Sequence, residues 1–86
     1  MNEYEKTHFK NTRLYSKLQR YISKIVNMDI KLSNELIPLY EDLIYSQKYM
    51  EICLMRDKEI NPIFYEQTYK LLKRIDKFIS IEGDFN

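Results

Sequence analysis

The side chains able to do covalent chemistry are few. Among 86 residues there is one histidine, His8, and one cysteine, Cys53. A Cys–His nucleophilic pair needs the imidazole beside the thiol and a third group to orient it. His8 falls near the start of the chain. Cys53 lies in the apolar run Met50-Glu51-Ile52-Cys53-Leu54-Met55. Such surroundings raise a thiol pKa and blunt its reactivity, so Cys53 reads as a buried structural residue. The carboxylate neighbours Glu41-Asp42 and Asp57/Glu59 are too close in sequence to share a helical face and read as solvated charges, not as an acid–base pair. One cysteine and one histidine cannot furnish an ordinary four-ligand zinc site or an internal disulfide. A single glycine, Gly83, leaves no glycine-rich phosphate loop. The expectation is a protein that is not an enzyme, with no catalytic residues, no metal and no cofactor.

Charge carries more information than the candidate nucleophiles. The formal net charge is only +1, but it is unevenly spread. Residues 1–32 hold seven basic and three acidic side chains, net +4; residues 33–59 hold three and six, net −3; residues 60–86 hold four of each, net zero. In the first segment the bases are Lys6, Lys10, Arg13, Lys17, Arg20 and Lys24, at spacings of four, three, four, three and four. On a helix that spacing makes one stripe along one flank. No acid stands between Lys6 and Asp29. Three readings are open: contact with a nucleic-acid backbone, contact with an acidic protein surface, or a face that is simply solvated or turned toward the acidic second segment.

Two further patterns bear on binding. Tyr45, Tyr49 and Ile52 recur at four and three. They form an apolar strip beside the main one of their segment, fit either for internal packing or for an aromatic interface. Thr12, Ser16, Gln19 and Ser23 line the other flank of the first segment as small or neutral polar groups, which favours a face toward water. Lys70, Lys73, Arg74 and Lys77 fall opposite the apolar face of the last segment and read as solvated.

These residues must be held by helices. Leu14, Leu18, Tyr21, Ile25 and Met28 repeat at four, three, four and three, which predicts a first helix over about residues 4–27, widened by Tyr15 and Ile22. Asp29, Ser33 and Asn34 are good N-cap types. A second helix is expected over about 34–58, starting near Ser33 or Asn34, with Pro38 tolerated inside its first turn. Its stripe is Leu36, Tyr40, Leu43, Met50 and Leu54, interrupted by Gln47. Asn61-Pro62 is a strong start signal. It opens a third helix over about 62–81 with Phe64, Thr68, Leu71, Ile75 and Phe78, widened by Tyr65, Leu72 and Ile79. Gly83 ends it, and residues 82–86 are expected to be a loose tail. Short connections make sequential helices antiparallel. The fold class is therefore all-α: one domain over 1–86, an antiparallel three-helix bundle, alone or dimerised through its long amphipathic helices.

Composition sharpens this picture. Hydrophobic residues make up 44% and charged residues 31%, a globular balance. Alanine is absent, so the helices depend on packing more than on propensity. Few turn residues argue against a β-sandwich or barrel. No run of ~18 apolar residues predicts a membrane span, and the polar start, Met1 to Lys6, is unlike a signal peptide. A cytoplasmic protein is expected. Isoleucine, lysine, tyrosine and asparagine are abundant, as in A/T-rich coding sequences, which suggests a low-GC bacterium or its phages and plasmids.

The run from Asp29 to Ile81 resembles the helical core of small phage terminase small subunits. In that family an aspartate opens a long helix rich in leucine and tyrosine, here Asp29 followed by Leu36-Ile37-Pro38-Leu39-Tyr40-Glu41-Asp42-Leu43-Ile44-Tyr45. An Asn-Pro then opens the last amphipathic helix, here Asn61-Pro62 and Tyr69-Lys70-Leu71-Leu72-Lys73-Arg74-Ile75. The chain is shorter than most such subunits and lacks their glycine-containing segment before Asn-Pro. The resemblance implies oligomerisation and recognition of viral DNA for packaging. The residues themselves point first to a small helical protein that occupies a partner's surface, a protein partner before a nucleic acid. A phage or mobile-element accessory role, such as an inhibitor of a host or defence protein, fits that size. A DNA-binding packaging or regulatory subunit is the alternative, and an immunity or antitoxin-like binder is a third. A homodimer or higher oligomer is expected, with Tyr45, Tyr49 and Ile52 at or near the contact.

Overall fold

The computed structural model describes residues 2–27 and 34–79. They form three helices: α1 (Glu3–Asn27), α2 (Leu36–Arg56) and α3 (Pro62–Asp76), with no strand among the described residues. Met28, Asp29 and residues 80–86, tail included, lie outside them.

Local chemistry sets the helix ends. Asn2 caps α1: its side-chain oxygen accepts from the Glu5 N–H at 2.7 Å. Glu3 and Glu5 in the first turn and Lys24 in the last complement the helix dipole. At α2 the expected cap is not the one used. Asn34 lies in a turn, and the residue before the helix is Glu35, in a right-handed helical conformation with no side-chain cap bond. Ser33 falls outside the described residues. Pro38 is the third residue of α2, where its missing N–H has no intrahelical partner to lose. The helix stops at Arg56, two residues early, because Asp57 turns left-handed (φ 52°). The N–H groups of Asp57 and Lys58 both close on the Cys53 carbonyl. Aspartate is one of the few residues with a side chain that visits this conformation readily. At α3 the Asn61 side chain accepts from the Ile63 N–H at 3.0 Å, with Pro62 at the first helical position, as the sequence predicts. α3 ends at Asp76, and Lys77 to Ile79 form turns.

Direction follows from who touches whom. Tyr4, at the start of α1, hydrogen-bonds Asp57, just past the end of α2, at 3.0 Å. Tyr49, late in α2, packs on Phe64, early in α3, with ring centroids 4.6 Å apart. Each sequential pair is thus antiparallel, and α2 is the middle helix, packed on both others. α1 and α3 run parallel and are tied by polar contacts. The Tyr65 hydroxyl donates to Asn11, and the Tyr21 hydroxyl donates to the Asp76 carboxylate at 3.0 and 3.1 Å.

The core combines Leu14, Leu18, Tyr21 and Ile25 with Leu36, Leu39, Leu43, Met50 and Cys53 and with Leu71, Leu72, Ile75 and Ile79. Each fully buried large side chain contributes ~1.5–3 kcal/mol relative to exposure. The α1 stripe is the predicted one. The α2 stripe is rotated: Tyr40 and Leu54 are half-buried, while Leu39 and Cys53 are buried. A helix between two neighbours buries a wider arc than one stripe. Just past the end of α3, Ile79 is buried as expected, but Phe78 is 42% exposed and leaves the predicted stripe. The helix has ended at Asp76; in the turns that follow, the Ile79 N–H closes on the Ile75 carbonyl at 3.1 Å and Ile79 stays on the buried side while Phe78 faces out.

Candidate binding surface

The six bases lie on α1 as the spacing requires. Lys6, Lys10, Arg13 and Arg20 are exposed, and Lys17 and Lys24 are half-buried. From Lys6 to Lys24 the ladder runs ~27 Å at 1.5 Å rise per residue. It lies on the flank of α1 next to α3, not the flank next to α2. The Lys10 ammonium sits 4.0 Å from the centroid of the Tyr65 ring, a cation–π contact that ties the second rung of the ladder to α3. Arg13 covers the Phe9 ring at 5.7 Å. Among the described residues, Lys6, Lys10, Arg13 and Lys17 form no ion pair; Arg20 and Lys24 are each engaged by another group. The acids of α2, Glu41, Asp42 and Glu51, are themselves exposed. The reading in which the ladder is neutralised by α2 therefore does not hold for its first four members.

Tyr65 is the hinge of this flank. Its ring carries Lys10, and its hydroxyl satisfies the buried Asn11 side chain. Partial burial raises its pKa above the ordinary value; the hydrogen bond with Asn11 acts in the opposite sense. Asn11 is the polar member of an otherwise apolar α1 face, and the sequence reading did not single it out. Nothing local signals a partner 54 residues away.

The second candidate set is divided by the structure. Tyr49 is half-buried against Phe64 and belongs to the α2–α3 packing. Tyr45 is 78% exposed and Ile52 50% exposed. Tyr45 stands at the edge of an open groove of about 510 Å³ between α2 and α3, bordered by Asp42, Thr68 and Arg74. Thr12, Gln19 and Ser23 face water, as expected, and Ser16 is half-buried. Lys70 pairs with Glu66 at 3.1 Å on the exposed side of α3. An exposed pair of this i,i+4 type contributes only ~0.3–0.5 kcal/mol. Lys73, Arg74 and Lys77 are exposed as predicted.

Antiparallel packing of α1 and α2 brings His8 and Cys53 to one cleft of about 370 Å³, with Tyr4, Asn11, Leu54 and Asp57. Separation along the chain had hidden this neighbourhood. Among the described residues no hydrogen bond joins the imidazole to the thiol. His8 instead stacks on Tyr4, whose ring centroid is 6.2 Å away. The Tyr4 hydroxyl donates to Asp57, and that bond, with the carboxylate's charge, raises the Tyr4 pKa. Cys53 is 5% exposed. The cleft thus holds the two groups without orienting one toward the other. Among the described residues no cluster of three or more His, Cys, Asp or Glu could hold a metal ion. No described helix is long and apolar enough to cross a membrane. Comparison with protein-family models, with curated proteins and with solved structures found no match.

Proposed function

We propose that this protein works without catalysis, by laying the basic ladder of α1 against an acidic surface of a protein partner. One observation carries the reading: Lys6, Lys10, Arg13 and Lys17 stand in register on one flank, three of them exposed and Lys17 half-buried, with no acid among the described residues paired to them. Their four-three spacing is that of a helix, so a partner helix bearing Asp and Glu at the same spacing meets every rung. A protein partner is preferred to nucleic acid for two reasons. Among the described residues no short groove-reading helix accompanies the ladder. The segment 33–59 that contains α2 is net −3, and α2 packs against α1 at ~8–10 Å between axes, about one Debye length at physiological salt. An extended polyanion feels that repulsion along its length, while a protein contact confined to the ladder feels less of it. Occupying a host or defence protein's surface, as an accessory inhibitor does, is a role within this reading.

Salt dependence separates the two partner classes. Duplex DNA of about 20 base pairs is titrated with the wild type and with the variant Lys6→Gln/Lys10→Gln/Arg13→Gln/Lys17→Gln. The expected result is weak binding at physiological salt that the variant barely changes. Submicromolar binding whose salt slope falls by ~0.9 for each neutralised rung would overturn the preference. It would favour the packaging-subunit reading instead.

A further inference from the structure

The outer face of α2, turned away from both neighbouring helices, carries a second seam. Glu41, Tyr45, Lys48, Ile52 and Met55 are exposed and follow one another at four, three, four and three. Tyr45 and Met55 are 78% and 79% exposed, and Ile52 is half-exposed. The middle helix is thus apolar on both sides, although its inner side alone meets α1 and α3. Such a spacing is that of a coiled-coil seam, in which apolar side chains pack into the facing helix.

We propose that this face is occupied by a second copy of the chain, its α2 antiparallel to the first and the two-fold axis passing between Lys48 and Tyr49. The charges select both the occupant and the direction. About that axis Tyr45 faces the other copy's Ile52, and Glu41 faces the other copy's Arg56, each pair occurring twice, as an isologous contact requires. The two Lys48 side chains meet near the axis, each with the other copy's Glu51 alongside. A parallel in-register pair would set Glu41 against Glu41 and Arg56 against Arg56, which is repulsive at both ends. Tyr45 and Ile52 supply apolar area at the centre, and the ion pairs fix register at the ends. The seam and the α1 ladder use different helices, so this pairing does not depend on what the ladder binds.

Sedimentation equilibrium at micromolar concentrations tests it with three variants of exposed residues, whose folding is checked by helical circular dichroism. The wild type is expected to show a dimer of the 10.6 kDa chain. Ile52→Lys is expected to give a monomer. Glu41→Arg is expected to weaken the dimer by about tenfold, the size of a ~1.4 kcal/mol loss. Adding Arg56→Glu to it is expected to restore the wild-type constant, because the swapped charges meet again. A wild type that stays monomeric would overturn the proposal. So would a dimer indifferent to Ile52→Lys, or a double variant no stronger than Glu41→Arg alone.

Discussion

Tyr65 and Tyr21 show how single hydroxyls join helices that share little apolar contact. Each sits on a different parallel helix and reaches across to a polar group, Asn11 or Asp76, whose burial would otherwise be costly. The pKa of Tyr65 is raised chiefly by burial, and that of Tyr4 by Asp57. A phenol whose value in the folded chain lies above its unfolded value of about 10 holds its proton longer in the fold. The stability that this linkage confers is complete below pH ~10 and disappears as pH rises through the folded value. Denaturant melts repeated from pH 8 upward should show stability falling above pH ~10, and Tyr65→Phe should make that fall shallower. A Tyr65→Phe variant with an unchanged alkaline limb would refute the assignment.

The helices themselves were largely legible from apolar spacing, but the legible part was the pattern that one neighbour imposes. α1 faces the other two helices from one side, so Leu14, Leu18, Tyr21 and Ile25 form a single stripe in the sequence and in the fold. α2 lies between two neighbours, and its buried set shifts toward Leu39 and Cys53. No periodicity within the segment states that it is the middle one. The ends were legible where a side chain caps them, as at Asn61-Pro62, and not where backbone geometry does, as at Asp57. The ladder was legible because its residues lie on one helix. The meeting of Lys10 with Tyr65, and of His8 with Cys53 in one cleft, depends on packing between segments far apart in sequence. Substitution energies test the corrected faces. Leu18, Leu43 and Ile75 are fully buried, one on each helix, and changing each to alanine should cost ~2–5 kcal/mol. Phe78→Ala should fall well below them, since its side chain is largely outside the core. A chemical melt that ranked Phe78 with the other three would return it to the core and contradict the burial described above.

At the scale of the whole molecule the described residues form an elongated body of 43 × 26 × 19 Å, with the basic excess on α1. The basic flank of α1 and the outer face of α2 belong to different helices of that body. In the proposed dimer a two-fold axis between the two α2 helices would relate two ladders, and two ladders held by one dimer can engage a multivalent partner more tightly than either alone. The account rests most on the ladder, and amide chemical-shift mapping by NMR tests it most directly. The probe is a helical peptide with glutamate at i, i+4 and i+7, added to the isotopically labelled chain at physiological salt. The account predicts shifts concentrated on α1 from Lys6 to Lys17 and on Tyr65, abolished when those four bases are changed to glutamine. Shifts centred on α2 or on Lys70 to Lys77, or none at all, would contradict it.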